Sequence, residues 1–142
     1  MILDTTYFLP LAQIAVDTDL LAAVAKKKAD LQIDDISLSL ISIFELQAKA
    51  AKLNIPSKST VRAVDAIMSA FRVVPFYEQG VVEAAQRIRK TLSDYVDCII
   101  LATAIASKDD VVTEDSLVLE KKKKLFKEYE LKVLSFSDLV ST

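Results

Sequence analysis

The chain has 142 residues, 52% hydrophobic and 27% charged, with a formal net charge of −2. That length suits one domain with a well-filled core, the composition lies far from disorder, and the weak negative charge gives no global attraction for nucleic acid. With no histidine, one glycine and one cysteine, the chain cannot build Ser-His-Asp or Cys-His nucleophiles, an HExxH metalloprotease, an imidazole ribonuclease, a P-loop, a GxGxxG turn or an internal disulfide.

In chain order, residues 1–3 read as an edge-to-core strand ending in Asp4, and TTYFLPLAQ as the helix after it. A helix follows over 19–28, with Leu20, Leu21 and Val24 on its apolar face. ISLSL, 36–40, is the second strand. A helix starts at Ser42 and stops near Leu53, before Asn54 and Pro56. Residues 57–71 form another helix, with Val61, Val64, Ile67 and Met68 at helical spacing. A short strand begins at 73–75, and 78–92 is helical. From Asp94 a helix carries Val96, Ile99, Ile100, Ala102, Thr103 and Ala106 with almost no polar face, so burial on several sides is expected. Residues 110–113 form a strand ending at Glu114 and Asp115, 117–129 a helix, and 131–136 the last strand. Short apolar strands alternating with helices predict an α/β fold, a three-layer α/β/α sandwich around a mostly parallel sheet, as one domain over 1–142. The start MILDTT has no basic leader, and no uncharged run suits a bilayer span, so a soluble, cytoplasmic protein is expected.

Carboxylate, with hydroxyl, Lys and Arg in support, is what remains for chemistry, and converging carboxylates are hard ligands suited to Mg²⁺ or Mn²⁺. Asp4 and Asp115 each end an apolar strand, and in a parallel sheet the C-terminal strand ends line the ligand crevice. Each, taken alone, is equally well an N-cap of the following helix. Ser42-x-x-Glu45 is also a capping box, and Asp94 followed by Asp97 reads as an N-cap and an acid favoured by the helix dipole. The conjunction argues for more, because Asp4, Glu45, Asp97 and Asp115 all fall at strand-to-helix junctions or in first helical turns. Lys121 to Lys124 go right round a helical turn and read as solvated surface, as do Lys26 to Lys28. Contacts to any nucleic acid would then come equally from Lys49, Lys52, Arg87 or Arg89.

Leu3-Asp4-Thr5, Ser42-Ile-Phe-Glu45-Leu46, Asp97-Cys-Ile-Ile-Leu-Ala-Thr-Ala104 and Val112-Thr113-Glu114-Asp115 occur in this order along nearly the whole chain. In this the sequence resembles the PIN-domain nucleases, and LKVLSFSDLV is similar to that family's last strand and helix. The resemblance implies that Asp4, Glu45, Asp97 and Asp115 hold one or two divalent metals, Mg²⁺ or Mn²⁺. Leu117 stands where many members carry a further acid, a gap that Glu114 or Asp94 would have to fill. Thr5 and Thr113 are candidate donors to the carboxylates, and Cys98 a small buried apolar residue. The implied activity is hydrolysis of RNA to 5′-phosphate and 3′-hydroxyl ends, with no histidine base required. A compact chain of this length looks most like a VapC-type toxin, held by a small antitoxin and forming a homodimer. A PIN ribonuclease of RNA or ribosome maturation and a catalytically weak PIN-like interaction module are the alternatives.

Overall fold

The computed structural model describes residues 1–141. Five short strands, β1 (Ile2–Leu3), β2 (Ser37–Ser39), β3 (Arg72–Val74), β4 (Val111–Val112) and β5 (Val133–Leu134), form one sheet in the order β3-β2-β1-β4-β5, every pair parallel. Successive strand residues point to opposite faces, and both faces are covered. Ile2, Val111 and Val133 enter one core, with Val81, Ile88, Ile100 and Leu125. Leu3, Val112 and Leu134 enter the other, with Tyr7, Phe8, Leu38, Leu46 and Ile67. The three-layer parallel α/β sandwich expected from the sequence is the fold observed.

β1, expected to run from edge to core, is instead the central strand, with Ile2 paired to both Ser37 and Val111. The chain winds outward from it in both directions, so the C-terminal ends of β1 and β4 flank the point where the strand order reverses. That is where a parallel sheet opens a crevice.

The connections between strands are helical, and their details shift from the sequence expectation for local reasons. TTYFLPLAQ becomes a 3-10 helix, Thr5–Ala12, with Pro10 inside it; proline has no N–H to donate and disfavours α geometry at the residue before it. α1 spans only Leu20–Ala25, capped by Asp19, and buries Leu20, Ala23 and Val24 in the protein's own core. α2 (Leu40–Lys52) starts earlier than expected, because the Ser39 hydroxyl caps it by accepting from Ile41 N at 3.2 Å. Ser42 is therefore a buried residue inside the helix, and the reciprocal Ser42/Glu45 capping box does not form.

α3 (Ser57–Ala70) buries Ala63 and Ile67 but leaves Val61 and Met68 exposed. α4 (Gln79–Ile88) packs on α5 (Tyr95–Ser107), whose residues 98–104 are all buried, in line with the missing polar face. The helix expected over 117–129 is two, α6 (Ser116–Glu120) and α7 (Lys122–Tyr129), joined at Lys121, and all four lysines of that run are exposed. α8 (Phe136–Leu139) closes the chain with a Ser135/Asp138 capping box. Among the described residues, no helix is long and apolar enough to cross a membrane.

Candidate metal centre

Asp4 follows β1, and its amide donates to Val112 O at 3.0 Å, which brings the ends of β1 and β4 together. Its carboxylate is held on both oxygens: Thr5 N donates to Oδ1 at 2.7 Å and Thr113 Oγ1 to Oδ2 at 2.7 Å. Burial raises the Asp4 pKa; the bonds from Thr113 and Thr5 lower it, and the charges of Asp115 and Asp94 raise it again.

Asp115 N-caps α6. Leu117 N and Val118 N donate to its Oδ1 at 3.0 and 3.1 Å, and its own amide donates to Thr113 Oγ1 at 3.0 Å. Both cap bonds fall on one oxygen, so capping occupies half of the carboxylate and the other oxygen remains for the cleft. Cap and ligand are compatible roles here, not alternatives.

Asp94 N-caps α5, its Oδ1 accepting from Val96 N at 2.9 Å and Asp97 N at 3.4 Å. Asp97 sits in the first turn of that helix, where the aligned backbone dipoles favour negative charge. Even so, burial pushes its pKa up to about 7, helped in order by Asp94, Asp115, Asp4 and Glu45. The charges of all four other acids therefore bear on Asp97. Glu45, in the second turn of α2, accepts from Thr5 Oγ1 at 2.5 Å, and the Ser42 hydroxyl lies 2.9 Å from the same Thr5 oxygen. Its pKa is raised by burial and by Asp4 and Asp94, against the lowering effect of Thr5.

These acids and Thr5 line one open cleft of about 540 Å³. Glu114 does not line it. Its Oε2 accepts from the buried Tyr7 hydroxyl and from Phe136 N at 2.8 Å, so it pins the 3-10 helix and α8 to the end of β4. Burial and the Glu114 carboxylate raise the Tyr7 pKa. Leu117 is 58% exposed on α6. Cys98 is buried, its thiol donating to Leu92 O at 3.4 Å and its pKa raised chiefly by burial, so it offers the cleft no soft ligand.

Three cleft residues, Phe44, Lys49 and Lys52, lie on the same side of α2 as Glu45. Lys49 and Lys52 are among the residues from which the sequence leads one to expect RNA contact; Phe44 and Ser42 carry no such expectation. A signal for Phe44 exists in the sequence: Ile43, Leu46 and Ala50 form the buried stripe of α2, and Phe44 falls off it.

As a donor set, clustered carboxylates with hydroxyl partners and no imidazole or thiolate suit a hard divalent cation. Asp4, Glu45, Asp97 and Asp115, with Asp94 adjoining, are the residues that would hold it. Among the described residues, no three such side chains are already drawn into a ready-made ligating group.

A family model described as PIN domain matches residues 1–125. No curated protein matches the chain. Among solved structures, FitAcB from Neisseria gonorrhoeae shares 23% identity over 96% of this chain and 97% of that one, with a TM-score of 0.69. VapBC-1 from nontypeable Haemophilus influenzae shares 16% over 96% and 97%, with a TM-score of 0.66. A toxin-antitoxin complex from Klebsiella pneumoniae shares 22% over 81% and 86%, with a TM-score of 0.61. At these identities the structural likeness speaks for the fold, while the family model covers most of the sequence, the strands β1 to β4 and all four acids of the cleft. This chain belongs to the PIN domain family, whose members are nucleases.

Proposed function

We propose that the protein is a divalent-metal-dependent endoribonuclease that hydrolyses RNA to 5′-phosphate and 3′-hydroxyl ends, acting as the toxin of a toxin-antitoxin pair. The observation that carries the nuclease reading is the convergence of Asp4, Glu45, Asp97 and Asp115 from four separate elements on one cleft, where the charges of Asp115, Asp4 and Glu45 all help to raise the Asp97 pKa. Bound there, Mg²⁺ or Mn²⁺ would supply an activated water and neutralise charge on the scissile phosphate. The chain's own part is positioning: Thr113 orients Asp4, Thr5 orients Glu45, and the start of α5 presents Asp97. Rigid elements hold such groups more closely than loops do.

The toxin role is supported by the neighbours that are themselves toxin-antitoxin complexes, and it implies a small antitoxin as partner. A homodimer is part of the same proposal, through the exposed face of α3. A second reading, a catalytically weak interaction module, is favoured by two observations: the described residues hold no preassembled metal-ligating group, and Leu117 adds no acid.

The test is cleavage of single-stranded RNA by purified protein with Mn²⁺, stopped by EDTA. Asp4→Asn, Asp97→Asn and Asp115→Asn should each lower the rate by several orders of magnitude, and the products should carry 5′-phosphates. A 2′,3′-cyclic phosphate, or activity that survives all three substitutions, would assign the cleavage to a contaminant. Folded, metal-stabilised protein that cuts no RNA would favour the interaction module.

A further inference from the structure

The cleft is not uniformly acidic. Along α2 it passes from Glu45 to Lys49 and Lys52, one and two helical turns further on, and Phe44 stands beside them on the same wall. Phe44 is 64% exposed, a costly place for an aromatic ring that belongs neither to the buried stripe of α2 nor to either core. Neither lysine forms an ion pair among the described residues, since the pairs found there are Met1 with Asp109 and Lys124 with Glu128. Two unengaged ammonium groups and an open aromatic face therefore adjoin a carboxylate cluster within one depression.

We infer that this wall of α2 is a subsite for single-stranded nucleic acid, in which Lys49 and Lys52 take successive phosphates on one side of the scissile bond and Phe44 stacks on an unpaired base. The inference rests on the nuclease reading and deepens it. Charge complementarity selects the occupant. The carboxylate end of the cleft repels a polyanion except where a cation intervenes, so a phosphate chain needs positive charge next to that end to be held at all. The ring selects the form of the substrate: a base inside a duplex has both faces covered by its neighbours, whereas a single strand offers a free face, with stacking largely indifferent to sequence. Specificity for unpaired strands thus arises from Phe44, and salt-sensitive affinity from the two lysines.

The test is fluorescence anisotropy of a labelled single-stranded RNA 12-mer, and of the same strand annealed to its complement, in EDTA so that no cleavage occurs. The single strand should bind more tightly than the duplex. Lys49→Gln with Lys52→Gln should weaken binding and reduce the slope of log K against log salt by about 0.7 for each phosphate that no longer meets an ammonium group. Phe44→Ala should weaken the single strand about fivefold or more and leave that slope unchanged, with Phe44→Trp restoring affinity. All three side chains are exposed, so unfolding is readily excluded by melting, and the shift in melting temperature caused by Mn²⁺ should be the same in every variant. Wild-type protein that cuts RNA while these variants bind and cut like it would overturn the subsite alone. Wild-type protein that neither binds RNA in EDTA nor cuts it with Mn²⁺ would overturn the subsite and the nuclease reading together. Equal affinity for duplex, or a Phe44→Ala effect confined to oligomeric mass by light scattering, would overturn the stacking role.

Discussion

The Thr113 hydroxyl donates to Asp4 Oδ2 at 2.7 Å and accepts from the Asp115 amide at 3.0 Å, so one buried side chain ties together the acids at the ends of β1 and β4. Thr113→Val keeps the shape and removes both bonds. Because one of them reaches a partly buried carboxylate, the loss should be about 1.5 to 3 kcal/mol in urea unfolding, while Thr113→Ser should retain most of it. Cleavage should fall in the valine variant as well, since Asp4 loses its orientation.

Glu45 separates a cap from a ligand. With Ser39 capping α2 and Ser42 inside the helix, no backbone donor of the helix start depends on Glu45. Its bond from Thr5 Oγ1 can be accepted by a glutamine oxygen too. Glu45→Gln should therefore melt close to the parent but cut RNA far more slowly. Full activity in this variant would reduce the proposed site to three acids.

The metal-free protein should lose stability as pH rises. Asp97 titrates at about 7 in the fold, above its ordinary value of about 3.9, so the folded state binds this proton more tightly than the unfolded chain does. The contribution is fully present below the unfolded pKa and is lost as pH passes through the folded one. In EDTA the melting temperature should be higher at about pH 5 than at about pH 8 on this account, and Asp97→Asn should flatten the difference. At the higher pH, Mn²⁺ at a hundredfold excess over Kd should add about 2.7 kcal/mol, a gain that Asp97→Asn should largely remove.

Dimerisation should run through α3. α1 buries its apolar residues in the protein's own core, whereas Val61 and Met68, 57% and 55% exposed, lie two turns apart on one face of α3. Light scattering at micromolar concentration should give a dimer, and Val61→Glu with Met68→Glu a monomer.

With only one glycine in the chain, helix ends that require left-handed backbone fall to other residues. Glu130 closes α7 at φ 55 and Lys108 closes α5 at φ 53. Glu130→Gly should stabilise the fold by up to about 1 kcal/mol in urea unfolding, because glycine lacks the Cβ that strains this conformation.

The sequence by itself determined the alternation of strands with helices and the order of the five strands along the chain. Apolar pairs such as Val111-Val112 announce strands covered on both faces, the nearly missing polar face from Val96 to Ala106 announces a helix buried on several sides, which the fold realises over 98–104, and the absence of histidine leaves carboxylates to carry the chemistry. These are properties of neighbours along the chain, which short-range patterning records. Only the tertiary structure decided that β1 is the central strand, since its pairing partners lie far away in the sequence. The same holds for Ser42, whose pattern fits a cap but whose position inside α2 follows from Ser39 taking the cap first. Glu114 and Asp115 are adjacent and chemically alike, yet one turns to Tyr7 and Phe136 and the other to the cleft. Alternation of side chains at a strand end separates them, and which face holds the cleft is fixed by packing between distant segments, not by any local signal.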